Sequence, residues 1–233
     1  MTKRVLVLVE GQTEERFVKD VLAPFLEPMA LFLMPTVLVT KRVKDGPHFK
    51  GGVTHFAKFE SDMRRLLKDS NAFVTTMLDY YALPDDFPGM KTRSTVASAA
   101  ERVRHIEKAV DAHFGAPSNL RTFLALHEFE ALLFSDTDSL PSVMLAPQQS
   151  GAFAAIRTQF ETPEHINERP QWAPSKRIEA LFPTYRKRLH GPNAALRIGI
   201  EAIRKACPHF ARWLADLQAL GAEGAAPVQG SSS

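Results

Sequence analysis

Only one cysteine, Cys207, occurs in the 233 residues. The chain can therefore form no intramolecular disulfide and offers no second thiol for a cysteine-based zinc site. A reducing compartment suits such a chain best. A strong excess of one charge is lacking too. The 29 Lys and Arg stand against 26 Asp and Glu, a balance that permits contact with nucleic acid but is too even to argue for it. Long apolar runs are missing as well. The run Val5 to Val9 near the N-terminus is too short for a membrane span or a signal-peptide core. The expectation is a cytoplasmic protein with no membrane association. No Gly-x-x-x-x-Gly-Lys-Ser/Thr pattern is present, which argues against a P-loop nucleotide site, and no internal repeat is found.

What is present reads as an α/β protein. With 45% hydrophobic residues, a chain of this length buries enough to fold without disulfides or a structural metal. Val5 to Val9 has the pattern of a strand buried on both faces. It stops at Glu10-Gly11-Gln12-Thr13, and a helix follows with Phe17, Val21 and Phe25 on one face and Thr13 placed to cap it. Residues 35–40 read as a second strand. Residues 41–52, with Lys41, Arg42, Lys44 and Lys50, form a basic loop. A helix marked by Phe56, Phe59, Met63 and Leu66 precedes a third strand over 72–78, which ends at Asp79. After a Pro/Gly-broken loop, Val96, Ala100, Val103, Ile106 and Val110 give another helix, and 121–126 a fourth strand. Strand and helix alternate throughout, as in a parallel sheet with helices on both faces.

Beyond Asp136 helical spacing takes over, in the sets Ile178–Tyr185, Leu196–Ile203 and Phe210–Leu217, with Pro174, Pro192 and Pro208 near helix starts. The expected organisation is a Toprim/Rossmann-like α/β unit over 1–136, a helical appendage over 137–220 and a disordered tail over 221–233. The small cationic excess falls in the C-terminal part, at Lys176-Arg177, Arg186-Lys187-Arg188 and Arg204-Lys205. These clusters are either solvated helix faces or a phosphate-contacting surface.

The acids are placed more tellingly than the bases. Loops leaving the carboxyl ends of parallel strands converge, so functional groups collect there. Three of the four expected strands end at or just before an acid: Glu10, Asp79 and Glu128. Glu14 lies one helical turn after Glu10. Several carboxylates brought together repel one another unless a cation or proton intervenes. Hard oxygen ligands without matching His or Cys point to Mg²⁺ or Mn²⁺ rather than zinc.

Val9-Glu10-Gly11-Gln12-Thr13-Glu14 at a first strand, with an Asp ending a later one, resembles the Toprim domain shared by topoisomerases, bacterial primases and overcoming-lysogenization-defect (OLD) nucleases. His127-Glu128-Phe129-Glu130-Ala131-Leu132-Leu133-Phe134-Ser135-Asp136, Pro174-Ser175-Lys176-Arg177 and Cys207-Pro208-His209-Phe210 resemble domain of unknown function 4276, a Toprim-like bacterial family. This second likeness covers almost the whole chain. The resemblance implies Glu10 as acid/base or metal ligand, Asp79 as the first acid of a D-x-D pair and Glu14 as the second acid of the nuclease-type glutamate motif. Tyr81 stands where the second D-x-D acid belongs. Glu128 is the preferred replacement, with Glu130, Asp85 and Asp86 as other sources. The implied chemistry is Mg²⁺-dependent phosphodiester hydrolysis, Glu10 and Glu14 holding one ion and Asp79 bridging toward a second at Glu128.

Other features are weaker. His127-Glu128 lacks the second His of a zinc-protease helix, Ala131 standing in its place. His127 either orients a phosphate or metal-bound water, or bonds nearby backbone. Lys50, Lys176 and Arg177 are candidate substrate contacts, while the loop carrying Lys50 is equally an ordinary mobile loop. Tyr80 and Tyr81 read as packing residues. The functional expectation is a nuclease-like protein acting on nucleic acid (DNA more than RNA), in a bacterial phage-defence cassette with a partner ATPase. The rival is a non-catalytic binding module with a degenerate site. A phosphotransferase or pyrophosphatase on a small phosphorylated metabolite would use the same metal chemistry.

Overall fold

The computed structural model describes residues 2–38, 53, 55–167 and 170–223. The basic loop with Lys50 lies outside these, as do residues 224–233 of the expected tail.

The N-terminal apolar run forms β1 (Lys3–Val9). Side chains alternate along a strand, so Val5, Val7 and Val9 enter one apolar cluster and Leu6 and Leu8 another. β1 pairs in parallel with β2 (Leu31–Val37) and with β3 (Ala72–Asp79). β2 starts at Leu31, earlier than the expected Pro35, because Leu31 and Leu33 supply its inward face. Pro35, which cannot donate to a ladder, is tolerated because β2 is an edge strand.

The strand order is β2-β1-β3-β4, with β5 also against β3. β4 (Leu120–Arg121) and β5 (Leu124–Ala125) replace the single strand expected over 121–126. A β3 side chain substitutes for the ladder at the break. Thr76 Oγ1 donates to the Phe123 carbonyl at 2.7 Å and accepts from Phe123 N at 2.9 Å. Thr75 Oγ1 donates to Arg121 O at 2.6 Å.

After β1 the chain turns at Gly11 into α1 (Gln12–Phe17), continues through a π turn (Val18–Leu22) and reaches α2 (Ala23–Leu26). Gly11 rather than Thr13 holds the cap position, and Thr13 is buried in the first turn. The β2-to-β3 crossover carries α3 (Phe56–Leu66) and the β3-to-β4 crossover carries α4 (Ala99–His113). α4 starts behind a Ser98–Glu101 capping box, leaving Val96 95% exposed instead of on the apolar stripe.

α1 packs on the Val5/Val7/Val9 face, whereas α3 and α4 both pack on the Leu6/Leu8 face. Crossover helices therefore leave the first face uncovered over β3 and β4. The C-terminal helices cover it: α5 (Ser139–Val143), α6 (Ser150–Arg157), α7 (Pro174–Leu181), α8 (Lys187–Ile198), α9 (Ile200–Ala206) and α10 (Pro208–Glu223). Their Ile178, Ile203, Phe210 and Leu214 share one cluster with β1 and α1. Trp213 stacks on Phe123 with centroids 4.3 Å apart, and its Nε1 donates to Thr75 Oγ1 at 2.9 Å. Leu196, expected inside, is 58% exposed, and Ala194, Ala195 and Ile198 line the inner side of α8.

Pro192 falls inside α8, not at its start. Without an N–H it leaves the Arg188 carbonyl unpaired within the helix. Arg16 of α1 supplies the donor, from Nη1 to Arg188 O at 3.0 Å and from Nη2 to Asn193 Oδ1 at 3.1 Å. α8 is thereby pinned to α1. Among the described residues no helix is long and apolar enough to cross a membrane.

Candidate functional site

β1 and β3 lie side by side, yet the chain leaves β1 toward β2 and leaves β3 toward β4, in opposite directions across the sheet. Such a reversal opens a crevice at the carboxyl ends of the two strands. Glu10 follows β1 and Asp79 ends β3. Glu10 Oε2 accepts from Asp79 N at 3.1 Å, which holds the two acids beside each other. Asp79, in turn, accepts from Phe129 N at 2.9 Å through Oδ1. That bond fixes a 3₁₀ turn over Phe129–Ser135, whose Phe129 ring meets Phe17 edge-on at 5.3 Å. Glu128 and Glu130 are delivered to the crevice by this turn.

The C-terminal layer closes the site. Ser175, at the start of α7, donates from N to Glu128 Oε2 at 3.0 Å and from Oγ to Glu128 Oε1 at 3.1 Å. Lys187, the first residue of α8, places Nζ 2.9 Å from Glu130 Oε2 and 4.0 Å from Asp79 Oδ2. Glu130 is fully buried, and its Oε2 keeps this charge contact without an aligned hydrogen bond. Tyr185 Oη donates a long bond of 3.5 Å to Glu130 Oε1. Gly191 is what lets α8 approach so closely: a Cβ there would lie 3.1 Å from Tyr185 Oη and 3.3 Å from Phe129 Cε1.

Electrostatics follows from five carboxylates around one ammonium. Burial, then the charge of Glu14, pushes Glu10 up to about 7, against the Asp79 amide and Lys187, which pull it down. Asp79 is raised well above the ordinary carboxylate range, by burial first and then by Glu10. Burial also raises Glu14 and Glu130, with Lys187 opposing in both cases. For Lys187 burial works against the charge, but Glu130, Asp79 and Glu128 outweigh it and hold the ammonium firmly protonated. Burial and Glu130 raise the Tyr185 phenol well above its usual value. His127 is lowered to about 4, by burial and then by His165 and Arg102, so its ring is neutral at neutral pH. A carboxyl poised near 7 can both take and return a proton. Among the described residues no three His, Cys, Asp or Glu side chains, as they stand, surround one point suited to a metal ion.

The remaining candidates lie elsewhere. Lys50 is outside the described residues. Lys176 pairs with Glu179 at 2.6 Å. Arg177 donates to Trp172 O at 2.8 Å and lies over the rings of Phe160 and Trp172. Asp85 and Asp86 are exposed, and Asp86 Oδ2 accepts from Phe56 N at 3.0 Å. Tyr81 is 45% exposed and Tyr80 packs against the α3/α4 cluster. Sequence reasoning missed Lys187 and Tyr185. Lys187, between Arg186 and Arg188, reads as a solvated cation; the signal that marks it is Gly191 one turn on, a small residue in a helix that must pack closely.

The sequence model of a family described as Domain of unknown function (DUF4276) matches residues 9–218. No curated protein matches the chain. Two solved structures of the C-terminal region of the Xanthomonas campestris pv. campestris OLD protein, one phased with platinum and one with iodine, are similar at 16% identity. They align over 95% of this chain and 97% and 98% of theirs, with TM-scores of 0.39 and 0.35.

Proposed function

The chain belongs to the family of Domain of unknown function (DUF4276), and on that footing we propose a Toprim-type, metal-dependent nuclease-like protein that hydrolyses nucleic-acid phosphodiesters, DNA more than RNA. One observation carries the reading: Glu10, Glu14, Asp79, Glu128 and Glu130 gather at the carboxyl ends of β1 and β3, with Glu10 bonded to the Asp79 amide and Lys187 set between Glu130 and Asp79. Among the described residues Lys187 is the cation paired within this cluster, with Glu130 and Asp79, and one ammonium does not match five carboxyl groups. The donor set is all hard oxygen, which fits Mg²⁺ or Mn²⁺. Among the described residues the acids as they stand do not converge on one point. Glu10, Glu14 and Asp79 would therefore hold the ion after turning toward each other, with Glu128 and Glu130 released from Ser175 and Lys187 to complete the set. When bound, it supplies charge stabilisation on phosphate oxygens and a more acidic water.

The chain's own residues would do the rest. Glu10, with its carboxyl near 7, takes the proton of the attacking water. Lys187 holds Glu130 and Asp79 in place until the ion binds and lends positive charge to the phosphate. Ser175 keeps Glu128 turned toward the crevice until then. The setting in a bacterial defence cassette beside a partner ATPase rests on the glutamate-motif resemblance alone.

The second reading is a non-catalytic nucleic-acid or partner-binding module. Tyr81 at the position of a second acid favours it, as does the pairing of Lys187 with two of the acids. Calorimetric Mn²⁺ titration and cleavage of a supercoiled plasmid separate the two. Wild type is expected to bind Mn²⁺ and cut, and Glu10→Gln to lose on the order of 100-fold or more of the cleavage rate. Cutting by Glu10→Gln at the wild-type rate removes the nuclease assignment, and ion binding without cutting leaves the binding module.

A further inference from the structure

A cavity of about 510 Å³ is lined by Arg102, His127, Gln159, Phe160, His165 and Asn167, with the exposed Glu161 at its rim, and His127 precedes Glu128 of the acid cluster in the chain. We propose that this cavity receives the phosphate of an unpaired nucleotide whose base stacks on Trp172.

The cavity wall is rich in donors that the protein leaves unused. Arg102 gives Nη1 to the Ala97 carbonyl, and the other N–H groups of its guanidinium have no partner among the described residues. The ring of His127 is 8% exposed and makes no hydrogen bond to a described residue. His165 shares Nδ1 with Thr162 Oγ1 at 3.1 Å, which leaves Nε2 for a ligand. Asn167 is 9% exposed and its Oδ1 is buried without a partner among the described residues, an acceptor that a water or a ligand N–H would satisfy. A guanidinium and two imidazoles around one hollow match an anion that only accepts, as phosphate does.

The aromatic half of the ligand is indicated by what adjoins the wall. The Arg177 guanidinium carbon lies 5.1 Å from the Phe160 centroid and 5.2 Å from that of Trp172. The ladder thus runs from the cavity to Trp172, which is 51% exposed. An exposed indole beside a cation is a stacking platform for a base. Bases in a duplex are stacked on each other and cannot present a face, so the ligand is a single strand. Glu128 is in extended backbone, so His127 and Glu128 leave the chain on opposite sides. A phosphate held at His127 therefore lies across the backbone from Glu128, and the strand must pass around residues 127–128 to reach the acid edge. The path of the strand to that edge rests on the nuclease reading; binding at the cavity does not.

The test is run in EDTA, with a fluorescent oligo-dT, an oligo-rU of equal length and a blunt duplex. The protein has two tryptophans, and Trp213 is buried, so quenching on binding reports Trp172. Single strands are expected to bind about tenfold or more tighter than duplex and to quench the emission. Trp172→Ala should weaken binding about tenfold and abolish quenching. Arg102→Ala should weaken it and lower the salt slope by about one. The oligo-dT and oligo-rU arms decide which sugar is preferred. Equal affinity for duplex, or both variants binding as wild type with circular dichroism unchanged, overturns the proposal. Metal-dependent cleavage without single-strand preference would sink the cavity alone, and single-strand binding without cleavage would sink the nuclease reading alone.

Discussion

The two faces of the sheet are built from different parts of the chain. The Leu6/Leu8 face is covered by α3 and α4, each the crossover between consecutive strands, and its cluster is a plain apolar core around Phe59, Met63, Val103 and Ile106. The opposite face takes α1 and then helices from the far end of the sequence, and polar contacts seat those helices on it. Lys187 meets Glu130, Trp213 meets Thr75, and Glu164 accepts from His209 N at 2.8 Å and Phe210 N at 2.9 Å at the start of α10. A crossover helix is tethered by the short connection into its next strand (67–71 after α3, 114–119 after α4), whereas a distant one must be told where to land. Buried polar groups do this, because an unsatisfied one is costly and few docking geometries satisfy them all. The acid crevice lies where that second face meets the strand ends, and its counter-charge comes from the distant layer.

The largest expected effect separates the two covers. Trp213→Ala and Phe59→Ala each remove a large buried ring and should cost about 3–5 kcal/mol. Urea unfolding followed by circular dichroism is expected to remain a single transition in both, because the α8–α10 residues share their cluster with β1 and α1. An early helical transition confined to Trp213→Ala would show residues 137–220 to be a separate folding unit.

Next in size is a pH effect on the acid face. Glu10 has an ordinary value of 4.5 and is raised to about 7 in the folded protein. The folded state therefore binds the proton more tightly. The resulting stability is fully present below 4.5 and is lost as pH rises through about 7. In EDTA, the unfolding free energy should fall over this window, on the order of 2 kcal/mol, since one pKa unit is worth about 1.4 kcal/mol and neighbouring acids share the proton. Mg²⁺ should restore more stability at pH 8 than at pH 5, because it competes with protons for the same oxygens. Glu10→Gln should flatten both trends. Wild-type stability that climbs with pH in EDTA would contradict the raised carboxyl.

Legibility follows the same division. β1 and β3 are plain in the sequence because strands buried on both faces are apolar runs, and the proximity of Glu10 and Asp79 follows from their places at strand ends. The split between β4 and β5 is not readable, since it depends on Thr76 reaching sideways into the gap. The C-terminal helices announce their existence but not their docking. Pro192 reads as a helix start until Arg16, far away in sequence, is seen bonding the carbonyl that it frees. In Pro174-Ser175-Lys176-Arg177 the charged pair draws the eye, yet the contact with Glu128 is made by Ser175. Lys187 is hidden for the same reason: a cation between two others says nothing of its partner until α8 is placed.

The smallest effect belongs to the plain face. Ser98 Oγ accepts from Glu101 N at 3.3 Å, and Glu101 Oε2 accepts from Ser98 N and Ser98 Oγ, both at 2.8 Å. This box starts α4 by satisfying amides that the first helical turn leaves open. Ser98→Ala should cost about 1 kcal/mol in urea unfolding. The Mg²⁺ midpoint should be unchanged, because α4 lies across the sheet from α8 and gives no side chain to the acid cluster. If Ser98→Ala instead altered the Mg²⁺ midpoint while the stability loss stayed near that size, the two faces would be coupled through β3, and the independence of the α3/α4 cover would be wrong.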